Sequence, residues 1–380
     1  MRSVGVICEY NPFHAGHAHL LREAPEGVRV CLMSGNFVQR GEAAILPAHT
    51  RAEMALCGGA DLVLELPFPY AVGSARYFAT AGVRALAALG CGVLAFGSES
   101  ADAEALYAAA KHLDSAEFAA DFAARDAKTG DAAAHFSALG STPASNDILA
   151  LEYVRAILAQ GEAMQIAPVL RVGAAYREEA LGEGAPSATA LRACLAAGED
   201  VTPHLPPCVR GVFAEALAAQ GGAADTARLA TALLARLRVS PPGEEVAECG
   251  GGLGAHLAKA AAQATDYASL LEAAATKRYT NGRIRRALLY TLAGVRHEDL
   301  NAPPAYLRLL GANERGREYL AESRKTRRIQ VITKISELDQ RDAAVQRQLA
   351  LSLAADALYA LCLPQPTQPH ALSTKAPVML

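Results

Sequence analysis

The stretch Gly5-Val6-Ile7-Cys8-Glu9-Tyr10-Asn11-Pro12-Phe13-His14-Ala15-Gly16-His17 decides how this chain is read. Val4 and the run Val6 to Cys8, broken only by Gly5, have the make-up of a short buried strand. An Asn-Pro turn follows, stiffened by Pro12. Two histidines then flank Gly16, and Ala18-His19-Leu20-Leu21 opens a helix. The first turn of a helix carries unpaired N–H groups and a partial positive charge, so it attracts anions. Gly16 lacks a Cβ and lets a ligand approach the backbone. His14 and His17, three apart, share a face of that turn. Each can donate a hydrogen bond to a phosphate oxygen as charge builds in a transition state. An isolated H-x-G-H fits two ordinary capping histidines equally well. The strand and the Asn-Pro-Phe turn ahead of it supply the context of a nucleotide phosphate site.

Apolar strands alternate with helices downstream. Val28 to Met33, Asp61 to Leu66, Gly92 to Phe96 and Met164 to Arg171 read as strands; Thr50 to Cys57, Ser74 to Leu89 and Pro186 to Ala197 read as helices. The pattern predicts an α/β fold with a Rossmann-like parallel sheet covered on both faces. Ligands of such sheets bind at the carboxyl ends of the strands. Residues 101–160 read as largely helical. Pro203, Pro206 and Pro207 mark a boundary, which gives residues 1–200 as the sheet domain and 201–380 as a mainly α-helical domain. Within the latter, 208–220, 224–237, 253–274, 281–294, 304–310, 313–322 and 344–361 read as helices and 238–252 as a loop. Ile329 to Ile335 reads as a short strand, and the Pro-rich tail from Pro364 reads as frayed.

The chain has 380 residues, enough for two cores, and a net charge of −3. That charge is unevenly spread. Lys277 to Lys334 holds fourteen Lys or Arg against five Asp or Glu, a net +9 that leaves −12 for the rest. Such a block points to a polyanionic partner. The eight cysteines lack C-x-x-C spacing and suit reduced thiols rather than zinc or disulfides. No apolar run of eighteen residues predicts a membrane span. Met1-Arg2-Ser3 has no signal-peptide pattern, so a cytoplasmic protein is expected.

A second phosphate element is Ser187-Ala188-Thr189-Ala190-Leu191-Arg192. Ser187 caps a helix whose spare N–H groups can hold phosphate. Arg192, one turn after Thr189, offers a five-donor fork suited to a triphosphate. Alone this is a capped helix with a surface arginine; with the upstream histidines it completes a two-motif site. Arg171 at the end of its strand could meet a phosphate or a carboxylate, or remain a solvated strand-end charge. Asn146 in S-N-D-I-L reads as a helix cap, with contact to a nucleobase as the other option.

The two motifs resemble the H-x-G-H and S-x-T-x-x-R elements of the HIGH-type (HUP-type) nucleotidyltransferases. The whole chain resembles the tRNA(Met) cytidine acetate ligase family. The likeness is carried by residues 5–17, M-S-G-N-F-V-Q-R-G-E (33–42), D-L-V-L-E-L-P-F-P-Y-A-V (61–72), F-G-S-E (96–99) and S-N-D-I-L-A-L-E-Y (145–153). It continues through S-A-T-A-L-R (187–192), K-R-Y-T-N-G-R-I-R-R (277–286) and Y-L-R-L-L-G-A-N-E-R-G-R-E-Y-L (306–320). Asp147 stands where the family would have a second Asn. The resemblance implies formation of acetyl-adenylate from acetate and ATP, with Mg²⁺, and acetylation of N4 of the wobble cytidine of elongator tRNA(Met). It implies ATP contacts from Ile7, Cys8, Glu9, Tyr10, Asn11, Pro12, Phe13, His14, Ala15, Gly16, His17, Ala18, His19 and Leu20. Gly97, Asn146 and Arg171 would complete the nucleotide site with Ser187 and Thr189. His14, His17 and Arg192 would carry the chemistry; no protein ligand for a metal is identified. Lys277, Arg278, Tyr279, Arg283, Arg285, Arg286, Arg315 and Arg317 are the expected tRNA contacts, Tyr279 by stacking on a base. Two other readings use the same motifs: an adenylyltransferase for a small phosphorylated cofactor precursor, and a tRNA-binding module with a vestigial nucleotide site. An aminoacyl-tRNA synthetase fits less well, since no K-M-S-K-S-like loop is present.

Overall fold

The computed structural model describes residues 1–116, 145–171 and 186–380; the side chains of Ser145 and Asn146 fall outside that description. Five strands run parallel as expected: β1 (Ser3–Cys8), β2 (Val28–Ser34), β5 (Leu62–Leu66), β6 (Val93–Ser98) and β7 (Gln165–Leu170). A two-strand hairpin, β3 (Phe37–Val38) and β4 (Glu42–Ala43), follows β2. The sheet order is β10 (Val378–Met379), β8 (Tyr306–Ala312), β5, β2, β1, β6, β7, with β9 (Gln330–Ile332) also pairing β8. The chain builds outward from β1 through β2 to β5, then returns to place β6 on the other side of β1. The crevice between the carboxyl ends of β1 and β6 is therefore the topological switch point, where ligands of such sheets bind.

The apolar character of β1 follows from its central place. Alternate residues face opposite layers. Val4, Val6 and Cys8 join a core with the Ala48–Cys57 helix, Leu191, Val209 and Phe213. Ile7 faces the other core, with the Ala75–Leu89 and Ser145–Gln160 helices. The chain beyond 201 forms a third core with Phe37 and Ala43 of the hairpin and Phe68. No helix among the described residues is long and apolar enough to cross a membrane. All eight cysteines are free thiols, with Cys208 exposed, Cys57 half-buried and the rest buried.

Three expectations fail in the second half of the chain. Residues 253–274, read as one helix, form two, Leu253–Gln263 and Tyr267–Ala274, because Asp266 caps the second by accepting from Ser269 N–H. Residues 304–310, read as a helix, form β8 (Tyr306–Ala312), antiparallel to β5. A short, mostly apolar segment does not by itself separate strand from helix; pairing along the edge of β5 decides it. The tail, read as frayed, is pinned. Arg308 donates to the Leu372 carbonyl at 2.9 Å, and β10 (Val378–Met379) pairs with β8. The short strand expected at 329–335 is β9 (Gln330–Ile332). The sheet thus draws strands from both sides of residue 201.

Arg51 fixes the ends of the strands that border the crevice. Its guanidinium is fully buried and donates to the carbonyls of Leu46, Glu9, Ser34 and Gly35. Replacing it by Met strands these acceptors at roughly 1–3 kcal/mol for each one left buried and unpaired. Arg51→Met should lower unfolding free energy by at least ~3 kcal/mol, read from denaturant titration. Arg51→Lys should recover little, since one ammonium cannot reach all four carbonyls.

Candidate active site

The turn after β1 brings the two histidines to the start of the Ala15–Glu23 helix. His14 is the N-cap: its Nδ1 accepts from Gly16 N–H at 3.0 Å. His17 returns the favour, its Nδ1 accepting from His14 N–H at 3.2 Å. This reciprocal capping assigns each ring's proton to Nε2, the donor left for a ligand. The rings stack with centroids 3.7 Å apart, and Tyr10 and Phe13 wedge His17 in place. A Cβ at Gly16 would sit 2.8 Å from His14 Cε1, so glycine permits the fold-back of the ring. Burial, then the charges of Arg171 and Arg192, lowers His14 to about 3. Burial, then His14 and Arg171, lowers His17 well below its usual range. Both rings are neutral donors at neutral pH.

The second motif meets the first across 181 residues of chain. Ser187 caps the Ala188–Ala196 helix through Ala190 N–H at 3.1 Å. Arg192 donates to the carbonyl of Asn11 at 2.8 Å and to Thr189 Oγ1 at 3.4 Å. Asn11 Oδ1 in turn accepts from Ile45 N–H at 2.9 Å. His19 contacts the Leu170 carbonyl at 3.1 Å, which ties this helix to β7.

These residues line one cavity of about 450 Å³. Ile7, Cys8, Glu9, Tyr10, His14, Gly16, His17, His19, Leu20, Gly97, Arg171, Ser187, Thr189 and Arg192 all border it. Asn11, Pro12, Phe13, Ala15 and Ala18 shape the loop without lining the cavity. The Asn146 side chain lies outside the described residues. Asp147 accepts from Ser98 Oγ at 2.8 Å and Glu99 N–H at 3.1 Å, so it holds the end of β6. The sequence reading overlooked Gln39, Arg40 and Tyr153 as lining residues. The signal was there in Q-R-G, a polar tripeptide with a glycine that joins the two short strands of the hairpin. Gly41 makes that turn with φ +74, and its absent Cβ would lie 2.6 Å from Arg286 N.

The basic block divides. Lys277 and Arg278 are exposed just ahead of the Asn281–Ala293 helix, whose Gly282 and Arg286 line the cavity. Arg283 and Arg286 pair with Glu248, and Arg285 with Glu42. Tyr279 is buried, its hydroxyl donating to the Gly251 carbonyl at 2.7 Å and its ring under Arg278 and Arg283. The ring supports the arginines and is not offered to a base. Arg315 pairs with Asp61 and reaches the Gly27 carbonyl, at the amino ends of β5 and β2. Arg315 and Arg317 share the Glu314–Glu322 helix, which caps the amino ends of the sheet through Tyr319 and the Leu89 carbonyl. They lie at the end of the sheet opposite the cavity, because β8, which leads into their helix, runs antiparallel to β5.

The depressed histidines make stability pH-dependent. Unfolded imidazoles gain protons near pH 6.5. Folded His14 and His49, each lowered to about 3, do not, and His17 is lowered too. The unfolded state binds more protons across that window, so stability falls as pH drops from about 6.5 toward 3. His14→Asn, which keeps a capping acceptor, should reduce the slope between pH 7 and 5 in urea titrations. An unchanged slope would mean His14 protonates freely in the fold.

The family model described as HIGH Nucleotidyl Transferase matches residues 1–374. The tRNA(Met) cytidine acetate ligase of Syntrophotalea carbinolica is 40% identical over 363 residues, covering 89% of this chain and 86% of the relative. That of Acetivibrio thermocellus is 33% identical over 400 residues, covering 96% of each. The apo crystal structure of Thermotoga maritima TmcAL superposes with a TM-score of 0.90 at 29% identity, and the one bound with alpha-thio ATP with 0.87 at 29%; both cover 100% of each chain. The chain belongs to the HIGH nucleotidyltransferase family and, within it, to the tRNA(Met) cytidine acetate ligases.

Proposed function

We propose that this protein activates acetate with ATP and transfers the acetyl group to N4 of the wobble cytidine of elongator tRNA(Met), releasing pyrophosphate and AMP. The observation that carries the reading is one cavity that joins the histidine turn, the Ser187–Arg192 helix and the foot of the basic helix. A site for a small phosphorylated precursor has no use for that helix.

Acetate is already an anionic nucleophile at neutral pH, so the first step moves no proton. It needs alignment at the α-phosphorus and neutralisation of developing charge. Neutral His14 and His17 donate from Nε2, and Arg192 and Arg171 hold the phosphates. Magnesium, if used, rides on the triphosphate: among the described residues no group of three His, Cys, Asp or Glu could hold a metal ion, and Glu9 is the only carboxylate lining the cavity. No step is assigned to a resident metal. The 1–200 portion serves the nucleotide and acetate, and the 201–380 portion brings the tRNA. Exposed Lys277 and Arg278 are its phosphate contacts, with Arg283, Arg285 and Arg286 building the wall behind them.

The test is acetate-dependent exchange of pyrophosphate into ATP, followed by mass analysis of elongator tRNA(Met). His14→Asn should cut exchange by on the order of 10²-fold or more. Exchange with another acid and none with acetate would overturn the substrate. Lys277→Ala with Arg278→Ala should weaken tRNA binding and reduce its salt slope by roughly 0.7–0.9 per lost phosphate contact. Unchanged affinity and slope would remove these residues from the tRNA surface.

A further inference from the structure

The cavity is built for anions, with Arg40, Arg171, Arg192 and Arg286 on its walls, yet among the described residues one carboxylate, that of Glu9, faces into it. Glu9 is the first residue after β1. One of its oxygens accepts from Gln39 N–H at 2.7 Å, and its backbone carbonyl is held by Arg51. Side chain and backbone are thus both positioned, and the residue stays half-buried rather than sealed off. A carboxylate here opposes every phosphate the site takes up. Its oxygens suit a group that carries an N–H or O–H.

Its placement says which. Gln39 and Arg40 belong to the turn whose Gly41 lies against Arg285 and Arg286. Glu9 therefore sits on the wall shared with the basic helix, whereas Gly97, Leu170 and Arg171 form the wall at the ends of β6 and β7. On the function proposed above, the nucleic acid would arrive from the Glu9 side, where the basic helix meets the cavity. Burial raises the Glu9 carboxyl, against the lowering by Gln39 N–H and by the charges of Arg192, Arg40 and Arg51.

We infer that Glu9 is the proton acceptor of the second step, an assignment that rests on the function proposed above. The N4 lone pair attacks the acetyl carbonyl carbon and the C–N bond forms. The N4 proton passes to the Glu9 carboxylate. The bond from the acyl carbon to the adenylate oxygen breaks, and its electron pair leaves with AMP. Glu9 then returns the proton to solvent. The first step involves no such transfer, so loss of the carboxylate's basicity acts on the two steps unequally.

The experiment compares acetate-dependent pyrophosphate exchange with N4-acetylcytidine formation in the full chain, using ATP, acetate and elongator tRNA(Met). Glu9→Gln keeps the shape and the acceptor for Gln39 but cannot take a proton. Its ratio of transfer to exchange should fall on the order of 10²-fold or more. The ratio is internal to each preparation, so a smaller folded fraction does not alter it. Glu9→Asp, a base drawn back by one methylene, should lower the ratio less than Gln does. Equal losses in both steps, or an unchanged ratio, overturn the assignment to Glu9. Absence of acetate-dependent exchange in the wild type overturns the proposed function itself, and this assignment with it.

Discussion

The cleft depends on a buried positive charge. Arg51 is sealed from solvent and spends its donors on four backbone carbonyls, at the ends of β1 and β2 and in the loop after the hairpin. Burial disfavours its charge, and the Glu9 and Glu65 carboxylates offset part of that electrostatically. A guanidinium is suited to the place because it is planar, always charged and offers five N–H groups in a fixed fork. It gathers chain ends that would otherwise be unpaired carbonyls in an apolar core. The position of Glu9 and of the turn bearing Gln39 and Arg40 follows from it.

The two halves of the chain are joined by charge as well as by the sheet. Glu42 of the hairpin takes Arg285 across the two halves, while Glu248, within the second half, takes Arg283 and Arg286. Deeper, Arg308 of β8 lies between Glu65 of β5 and Asp356 of the Ala343–Cys362 helix. Two carboxylates share one guanidinium there, and burial with the Glu65 charge pushes Asp356 up to about 7. Much of what reads as a basic surface is thus internal joinery. The field over the cavity comes from the few arginines that remain on its walls.

The cavity pairs fixed cations with uncharged histidines. The arginines supply attraction for a polyanion before any reaction begins. The histidines, held neutral by burial and by those same arginines, supply N–H donors whose direction is set by backbone hydrogen bonds. Such donors need no reorganisation when charge develops, which is the condition for electrostatic stabilisation of a transition state.

The five parallel strands and the phosphate-binding turn were legible in the sequence, because they rest on local signals; the β3–β4 hairpin was not. Runs such as V-G-V-I-C and D-L-V-L-E-L are apolar on both faces, and H-A-G-H forms its cap within four residues. The Ser187–Arg192 helix was legible as a motif, but only the fold brings Arg192 to the Asn11 carbonyl. The strand at Tyr306–Ala312 and the pinned tail were not legible, since pairing with β5 and the reach of Arg308 are long-range events. Nor could sequence divide the basic block, because charge counts do not say which arginine meets a carboxylate. The sequence alone determined a nucleotide-phosphate turn on an α/β sheet. Tertiary structure decided which charges face the cavity, because burial and partner distance, not residue type, fix where a charge can act.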